Sequence, residues 1–480
     1  MSNILKKLRL SDALNKENRI PYIKAIVMMG IFTFIFLGAE YLYVNMISLS
    51  VSGDKAVTVQ NYALGISAVG FILYPIFSRF CKDKLRIVWS ALIAVASVLC
   101  IIFICCHISY SITLISGLSL FLFLGLFGSA VFYKSVCLFE NDRYLARLVG
   151  ISYMLGVLLQ FVNNNIISSE IIEAVILSVF LLVLVWLLIK SKPNIENILD
   201  LTDDKKSDNI TEKSTKGTAV GILLILIVVM MTCIFSTLDN AVTLIHASGT
   251  MDIGQWPRIL LAFSGLIAGF VFDINNRKVM NLIMYCVMIL STICIAVLEF
   301  AGSFVIGLII FYMSVGFFAV FFTTSFMELS RYMKLPQLWA GLGRAVNNIT
   351  AAVITGGSLA LLSSDSKIAI ITLVLVLFVA VSIVTALYTY KCRAFMEEIL
   401  ANDIECLDDK EKLQKLSEEF SFTPRETEVF GLLVSTEDSI QVISENLYVS
   451  KRTLERYISA IYEKTGVKSR VGLICIYNNK

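Results

Sequence analysis

Lys190-Ser-Lys-Pro-Asn-Ile-Glu-Asn-Ile-Leu-Asp200-Leu-Thr-Asp-Asp-Lys-Lys-Ser-Asp-Asn-Ile210-Thr-Glu-Lys-Ser-Thr-Lys216 is the stretch on which the fold turns. It is rich in Lys, Asp, Asn, Ser and Thr and carries Pro193, so it cannot cross a bilayer and reads as a solvated linker. Its neighbours are the opposite. A spanning helix needs about 20 mostly apolar residues, and before the linker such runs recur near 22–44, 59–80, 86–106, 110–134, 147–167 and 171–190. Six more follow near 218–246, 256–273, 279–299, 303–327, 338–362 and 367–390.

Composition agrees with that count. The 480 residues are 57% hydrophobic and 16% charged, with a mean hydropathy of +0.80, against the roughly 45–50% apolar content of a soluble domain. The expected class is all-α: a polytopic membrane bundle of about 12 helices, six plus six, with a small helical domain after it. The bilayer is thus the first partner. A formal charge of +3 is too small to mark the whole chain as a nucleic-acid binder, and where the charges lie matters more than their sum. Of the eleven cysteines, Cys81, Cys100, Cys105, Cys106, Cys137, Cys233, Cys286 and Cys294 fall in or beside apolar runs without paired spacing, as small buried hydrophobes do. His107 and His246 are the only histidines and lie far apart, so no metal site is expected. Nor does the chain show a P-loop or a nucleophile beside a base. The expectation is therefore no enzyme, no catalytic residue and no cofactor. The first apolar run is too long for a cleaved signal peptide and is expected to be retained as a span.

Lys and Arg set the orientation. Lys6, Lys7, Arg9, Lys16 and Arg19 precede the first run, and Arg79, Lys82, Lys84 and Arg86 fill the second connection. Lys134, Arg143 and Arg147 bound the fourth, Arg277 and Lys278 the eighth, Arg331 and Lys334 the tenth. Odd connections carry mainly Lys55, Arg258 and Lys367. The reading is a multi-pass protein of the cytoplasmic (inner) membrane with both termini in the cytoplasm.

After the eighth run the chain reads Gly269-Phe-Val-Phe-Asp273-Ile-Asn-Asn-Arg277-Lys278. This resembles the G-x-x-x-D-R-x-G-R-R loop of the major facilitator superfamily: Gly269, Asp273, Arg277 and Lys278 match, while Ile274 and Asn276 depart. The corresponding first-half loop, Ser78 to Arg86, keeps only its basic character. Together with two half-repeats around a linker, the resemblance covers about residues 22–390 and implies that superfamily's fold.

Ionisable residues inside a span are costly and mark pathways or ligand sites by default. Glu40 lies toward the outer end of the first run and Asp239 toward that of the seventh, and Ile35-Phe36 precedes one as Ile234-Phe235 precedes the other. Two readings stay open for the pair. Either each carboxylate is solvated at the headgroups, or the two are symmetry-related and face one cavity between the halves, which would favour a cationic or proton-coupled small molecule over an anionic one. Arg344, near Asn347 and Asn348 on the eleventh run, serves either packing or pairing within the bundle and completes the candidate ligand set. Gly341, Gly343, Gly356 and Gly357 on that run are expected to let neighbouring helices approach closely.

The expected domains are a cytoplasmic segment 1–21, a first half 22–190, a linker 191–217, a second half 218–390, a charged connector 391–419 with the pattern of an amphipathic helix, and a terminal domain 420–480. The connector reads as either a rigid link or a dimerising surface. In the terminal domain the local grammar is dense. Thr423 and Glu426 form an S/T-x-x-E capping box with Pro424 at the first helical position, opening a helix to about Val434. Ser439 caps a second through Leu447, Ser450 a third that begins at Lys451 and ends at Gly466, and Ser469 starts a fourth. A tight turn between the second and third is the helix-turn-helix plan, whose later helix enters the major groove.

Three blocks carry a second resemblance: Phe422-Thr-Pro-Arg-Glu-Thr-Glu-Val429, Val449-Ser-Lys-Arg-Thr-Leu454 and Ile461-Tyr-Glu-Lys-Thr-Gly-Val-Lys-Ser-Arg470. They are similar to the DNA-binding domain of the LuxR family, over residues 420–477. Glu437, Ser444 and Glu455 depart from the residues usual at their positions in that family. The resemblance implies double-stranded DNA as a partner, with a homodimer on DNA as a candidate assembly. The expected DNA-contact residues are Lys451, Arg452, Thr453, Glu455, Arg456, Tyr457, Ser459, Lys468 and Arg470. Between Lys451 and Arg470 six basic residues stand against two acidic, a local surplus fit for phosphates. The leading functional expectation is a membrane-embedded transcription regulator whose bundle senses a small molecule or its environment. A transporter with a regulatory tail and a tethered docking module that has lost DNA binding are its rivals.

Overall fold

The structure, a computed structural model, describes residues 16–80, 83–138, 144–167, 169–191, 207–247, 257–301, 304–362, 367–436 and 438–478. The described residues form helices and connecting turns without a strand, in two compact units, Met1–Lys391 and Cys392–Lys480. In the first unit α1 is Lys16–Ser48, α2 Gly53–Phe80, α3 Asp83–Cys106, α4 Tyr110–Leu138, α5 Leu145–Ile166 and α6 Glu170–Lys190. After the linker come α7 (Ser207–Ala247), α8 (Pro257–Phe272), α9 (Met280–Ala301), α10 (Phe304–Ser330), α11 (Pro336–Leu362) and α12 (Lys367–Glu419). Ten of these are long and apolar enough to cross a membrane, and α8 and α9 supply shorter apolar stretches, Arg258–Phe272 and Met280–Thr292. The protein is therefore a multi-pass membrane protein of the expected six-plus-six plan.

One boundary differs from the sequence reading: helix α7 starts at Ser207, inside the segment expected as linker. Helix α12 runs on through the connector 391–419, the helical continuation of the last span that the sequence allowed. No Gly or Pro interrupts Ser207–Lys216. Once a span is formed, each residue added at its end gains a hydrogen bond without a new nucleation cost, so polar residues extend the helix beyond the apolar stretch. Residues 192–206 of the expected linker lie outside the described residues.

Unlike a water-soluble bundle, the protein is apolar on its outer faces as well as in its interior. Trp89, Leu92, Val95 and Leu99 on α3, and Val175, Val179, Leu182 and Trp186 on α6, are exposed at helical spacing, as lipid-facing stripes are. Leu282 and Leu290 on α9 and Leu375, Val376, Val379 and Ile383 on α12 repeat this in the second half. The interior joins aromatic rings to small residues. Phe32 packs edge-on against Phe71 and Phe132, and Phe36 against Phe121.

The halves meet mainly along α2 with α11 and α5 with α8. On the second seam Gly150 and Gly269 sit back to back: a Cβ on Gly150 would come 2.7 Å from the Gly265 carbonyl, and one on Gly269 2.7 Å from that of Ala146. The same argument holds for only part of α11. Gly341 and Gly343 press on Phe71 and Phe326, but Gly356 and Gly357 have open space where a Cβ would point, so the close approach expected of all four is confined to the first two.

The second unit ends in four short helices, α13 (Pro424–Ser435), α14 (Ile440–Asn446), α15 (Lys451–Thr465) and α16 (Arg470–Asn478). Thr423 and Glu426 form the reciprocal capping box, and Ser439 and Ser450 accept from the N–H groups of Val442 and Thr453. Gly466 closes α15 in the left-handed conformation at φ 73°, open to glycine at little cost. The core gathers Val429, Phe430 and Leu433 from α13, Ile443 from α14, Leu454, Ile458 and Ile461 from α15, and Leu473 from α16. Leu416, with Leu413 packed beside it, joins this core from the end of α12, so the connector's last turns belong to the terminal domain.

Candidate ligand cavity and nucleic-acid interface

A cavity of about 190 Å³ opens between the two halves, walled by α1, α2, α5, α7, α8, α10 and α11. Glu40, Asp239 and Arg344 all line it. Of the two readings left open for the carboxylates, the geometry places both on this shared wall. Gln60 Nε2 donates to Glu40 Oε1 at 2.6 Å, so the carboxylate is anchored from the neighbouring helix. The Arg344 guanidinium lies over the Phe36 ring at 5.1 Å and the Phe322 ring at 5.8 Å, spanning one aromatic from each half. Packing and charge thus coincide in one side chain.

The structure adds residues that the sequence reading did not assign. Arg258, counted there only as a loop cation, reaches the cavity from the start of α8 and sits 5.8 Å from the Tyr41 ring. Gln60, Asn61 and Tyr153 also line it. A signal was present: Gln60-Asn61 places two amides at the start of an otherwise apolar run. Buried amides also join the halves beside the cavity. Asn61 Nδ2 donates to Asn240 Oδ1 at 2.8 Å and Asn348 Nδ2 to Ser67 Oγ at 2.9 Å, while within the second half Asn240 Nδ2 donates to Ser358 Oγ at 2.6 Å.

At the opposite end of the α5–α8 seam stands the loop that resembles the superfamily motif. Asp273 is buried and accepts from the backbone N–H groups of Ala146, at 3.1 Å, and Arg147, at 2.9 Å. It therefore meets the positive end of α5. The Arg147 and Arg277 side chains lie 3.6 and 3.4 Å from its oxygens, and Arg277 continues to Glu328 at 2.9 Å. Asn275, Asn276 and Arg277 all have positive φ, a strained run for residues with a Cβ. The ion pairs of Arg277 hold it there.

In the terminal domain α15 divides cleanly. Leu454, Ile458 and Ile461 turn into the core, while Lys451, Arg452, Glu455, Arg456 and Ser459 are exposed on the far side, with Lys468 exposed just beyond. Thr453 and Tyr457 flank that face half-buried, and the Thr453 hydroxyl is engaged with Ser450 Oγ at 2.7 Å. The tight turn before α15 carries Tyr448, almost fully exposed, at φ 54°.

Two of the six basic residues hold the domain together instead of facing outward. Arg470 donates to the carbonyls of Leu433, Thr436 and Asp438, tying α16 to the end of α13. Its donors are taken up there, which moves it from the DNA-contact set to a positioning role. Lys464 donates to the Ser421 carbonyl at 2.9 Å and to Glu426 at 2.7 Å. Burial alone pushes the Glu426 carboxyl up, but Lys464 and the Thr423 N–H outweigh it and hold the group below the usual carboxylate range. Lys451, Arg452, Arg456 and Lys468 remain, with no ion pair among the described residues.

Residues 420–477 match the family model described as bacterial regulatory proteins, luxR family. Among solved structures, a point variant of the E. coli fucose:proton symporter FucP is similar with a TM-score of 0.53 and 11% identity, over 78% of this chain and 99% of that one. FucP described as a Major Facilitator Superfamily transporter in the outward conformation gives 0.50 at 11%, with the same coverage. At that identity the likeness is one of fold. No curated protein sequence matches the chain. The chain thus joins a LuxR-type DNA-binding domain to a membrane bundle of major facilitator fold.

Proposed function

We propose that the protein is a one-component transcription regulator in which a small molecule, bound between the halves of the bundle, governs DNA occupancy by the tail. The observation that carries this is the presence, on one chain, of a charged cavity built from both halves and a LuxR-type helix whose cations face away from its own core. No catalytic step is invoked. The bundle sits in the cytoplasmic membrane with both termini inside, as its Lys and Arg distribution favours, and the cavity then lies toward the outer face. A ligand shifts such a system only if it binds one arrangement of the halves more tightly than the other.

Mapping chromosomal sites bound by the full-length protein tests the reading. Discrete sites lost on Arg452→Ala with Arg456→Ala, at unchanged membrane levels, support it. Absence of any enriched site favours a docking tail, and substrate accumulation in vesicles without DNA occupancy favours a transporter. Reporter fusions at Lys480 and Asp54 test the orientation, with Lys480 inside and Asp54 outside as the expected result. A homodimer on DNA is part of the proposal. Its expected signature is a paired half-site at each bound locus.

A further inference from the structure

We propose that the cavity selects a small zwitterion, a molecule carrying one cationic and one anionic group, and not the cation that its two acids alone suggest. This rests on the sensor reading above for its consequence, although not for its chemistry. Among the described residues the cavity is lined by two carboxylic and two guanidinium side chains, equal in number: Glu40 and Asp239 against Arg258 and Arg344. Among the described residues no ion pair joins either acid to either arginine. Glu40 is held by Gln60, Arg344 by two aromatic faces and Arg258 beside Tyr41, with Arg258 Nε buried and unpartnered.

Charges kept apart in a site of low dielectric are expensive until something pairs them. A guanidinium stacked on a ring leaves its in-plane N–H donors free, a geometry suited to a carboxylate or another planar anion. A simple cation would satisfy the acids and face two guanidinium groups. A simple anion would meet the reverse. Only a ligand bearing both signs pairs each set, and one without charge pairs neither. A cavity of about 190 Å³ is smaller than the ~300–1,000 Å³ of drug-sized sites, so the ligand is of metabolite size.

The experiment uses purified full-length protein in nanodiscs and reads thermal shift and calorimetric affinity for free α-amino acids and glycine betaine. Each amino acid that binds is then compared with its methyl ester, which keeps only the cation, and its N-acetyl form, which keeps only the anion. The expected result is at least one zwitterion that binds, with both derivatives weaker by roughly tenfold or more. Glu40→Gln should narrow the gap to the N-acetyl form and Arg258→Gln the gap to the ester, opposite changes that general loss of folding does not produce. Binding by no zwitterion in the panel, or equal binding by either derivative in the wild-type protein, overturns the proposal. If a zwitterion binds but leaves DNA occupancy unchanged, the sensor reading fails and this one stands. If DNA occupancy responds only to a singly charged or neutral compound, this one fails and the sensor reading stands.

Discussion

The four cavity residues Glu40, Asp239, Arg258 and Arg344 and the four exposed cations Lys451, Arg452, Arg456 and Lys468 on and just beyond α15 make no ion pair among the described residues, yet they are assembled in opposite ways. Arg452 and Arg456 stand one turn apart on a single helix, so the 3.6-residue repeat alone puts them side by side. Glu40, Asp239, Arg258 and Arg344 come from α1, α7, α8 and α11, and only the packing of the two halves brings them to one wall. The exposed cations cost little to leave unpaired because water solvates them. Those in the cavity need Gln60 and the aromatic faces of Tyr41, Phe36 and Phe322 to be tolerated at all. A surface for a polyanion is thus a local device, whereas a selective cavity is a tertiary one.

That contrast can be broken from either side. The largest effect is expected where tertiary packing buries charge. Asp273→Ala leaves Arg147 and Arg277 without their shared counter-charge, a loss of about 3–5 kcal/mol in bundle stability. It should appear as a lower unfolding temperature of the full-length protein in micelles with DNA affinity unchanged. A shift within error would mean that the glycine contact, not the charges, holds α5 to α8. Leu454→Ala, in the core of the tail, is expected to cost about 2–5 kcal/mol. Hydrogen exchange should then speed up through α13–α16 while the amides of α1–α11 keep their protection. Loss of protection in both would undo the separation into two units.

Arg456→Ala comes next, at about 1–3 kcal/mol of DNA affinity if the side chain reads a guanine edge. If it touches only phosphate, the loss is the same on every sequence and the slope of log affinity against log salt falls by about 0.9. Titrations on specific and scrambled DNA at several salt concentrations separate the two. Thr423→Ala, which removes one side of the capping box, should cost about 0.5–2 kcal/mol. Glu426 adds a pH dependence. Its carboxyl is held below its unfolded value, so its contribution is present above about pH 4.3 and lost as pH falls from there through the folded value. Exchange at the start of α13 should therefore accelerate on acidification below about pH 4.3, and Glu426→Gln should abolish that change.

What the sequence determined by itself is whatever depends on spacing within a helix or on the length of an apolar run. The twelve apolar runs in their six-plus-six order, all four helices of the tail and their caps at Thr423, Ser439 and Ser450 follow from such signals, because hydrogen bonding and side-chain periodicity act over a few residues. The pairing of Glu40 with Asp239 was suggested by matched contexts, but whether they met in a cavity or faced the headgroups depended on how α1 and α7 rotate about their axes. Tertiary structure alone decided that, and it decided the roles of two arginines in opposite directions. Arg258 was a loop cation by sequence and reaches the cavity because α8 begins beside Tyr41, while Arg470 was a DNA contact by sequence and is drawn away by three carbonyls at the end of α13. A long flexible cation carries no address in its own neighbourhood. Its partner is set by whichever acceptors or rings the fold brings within its reach.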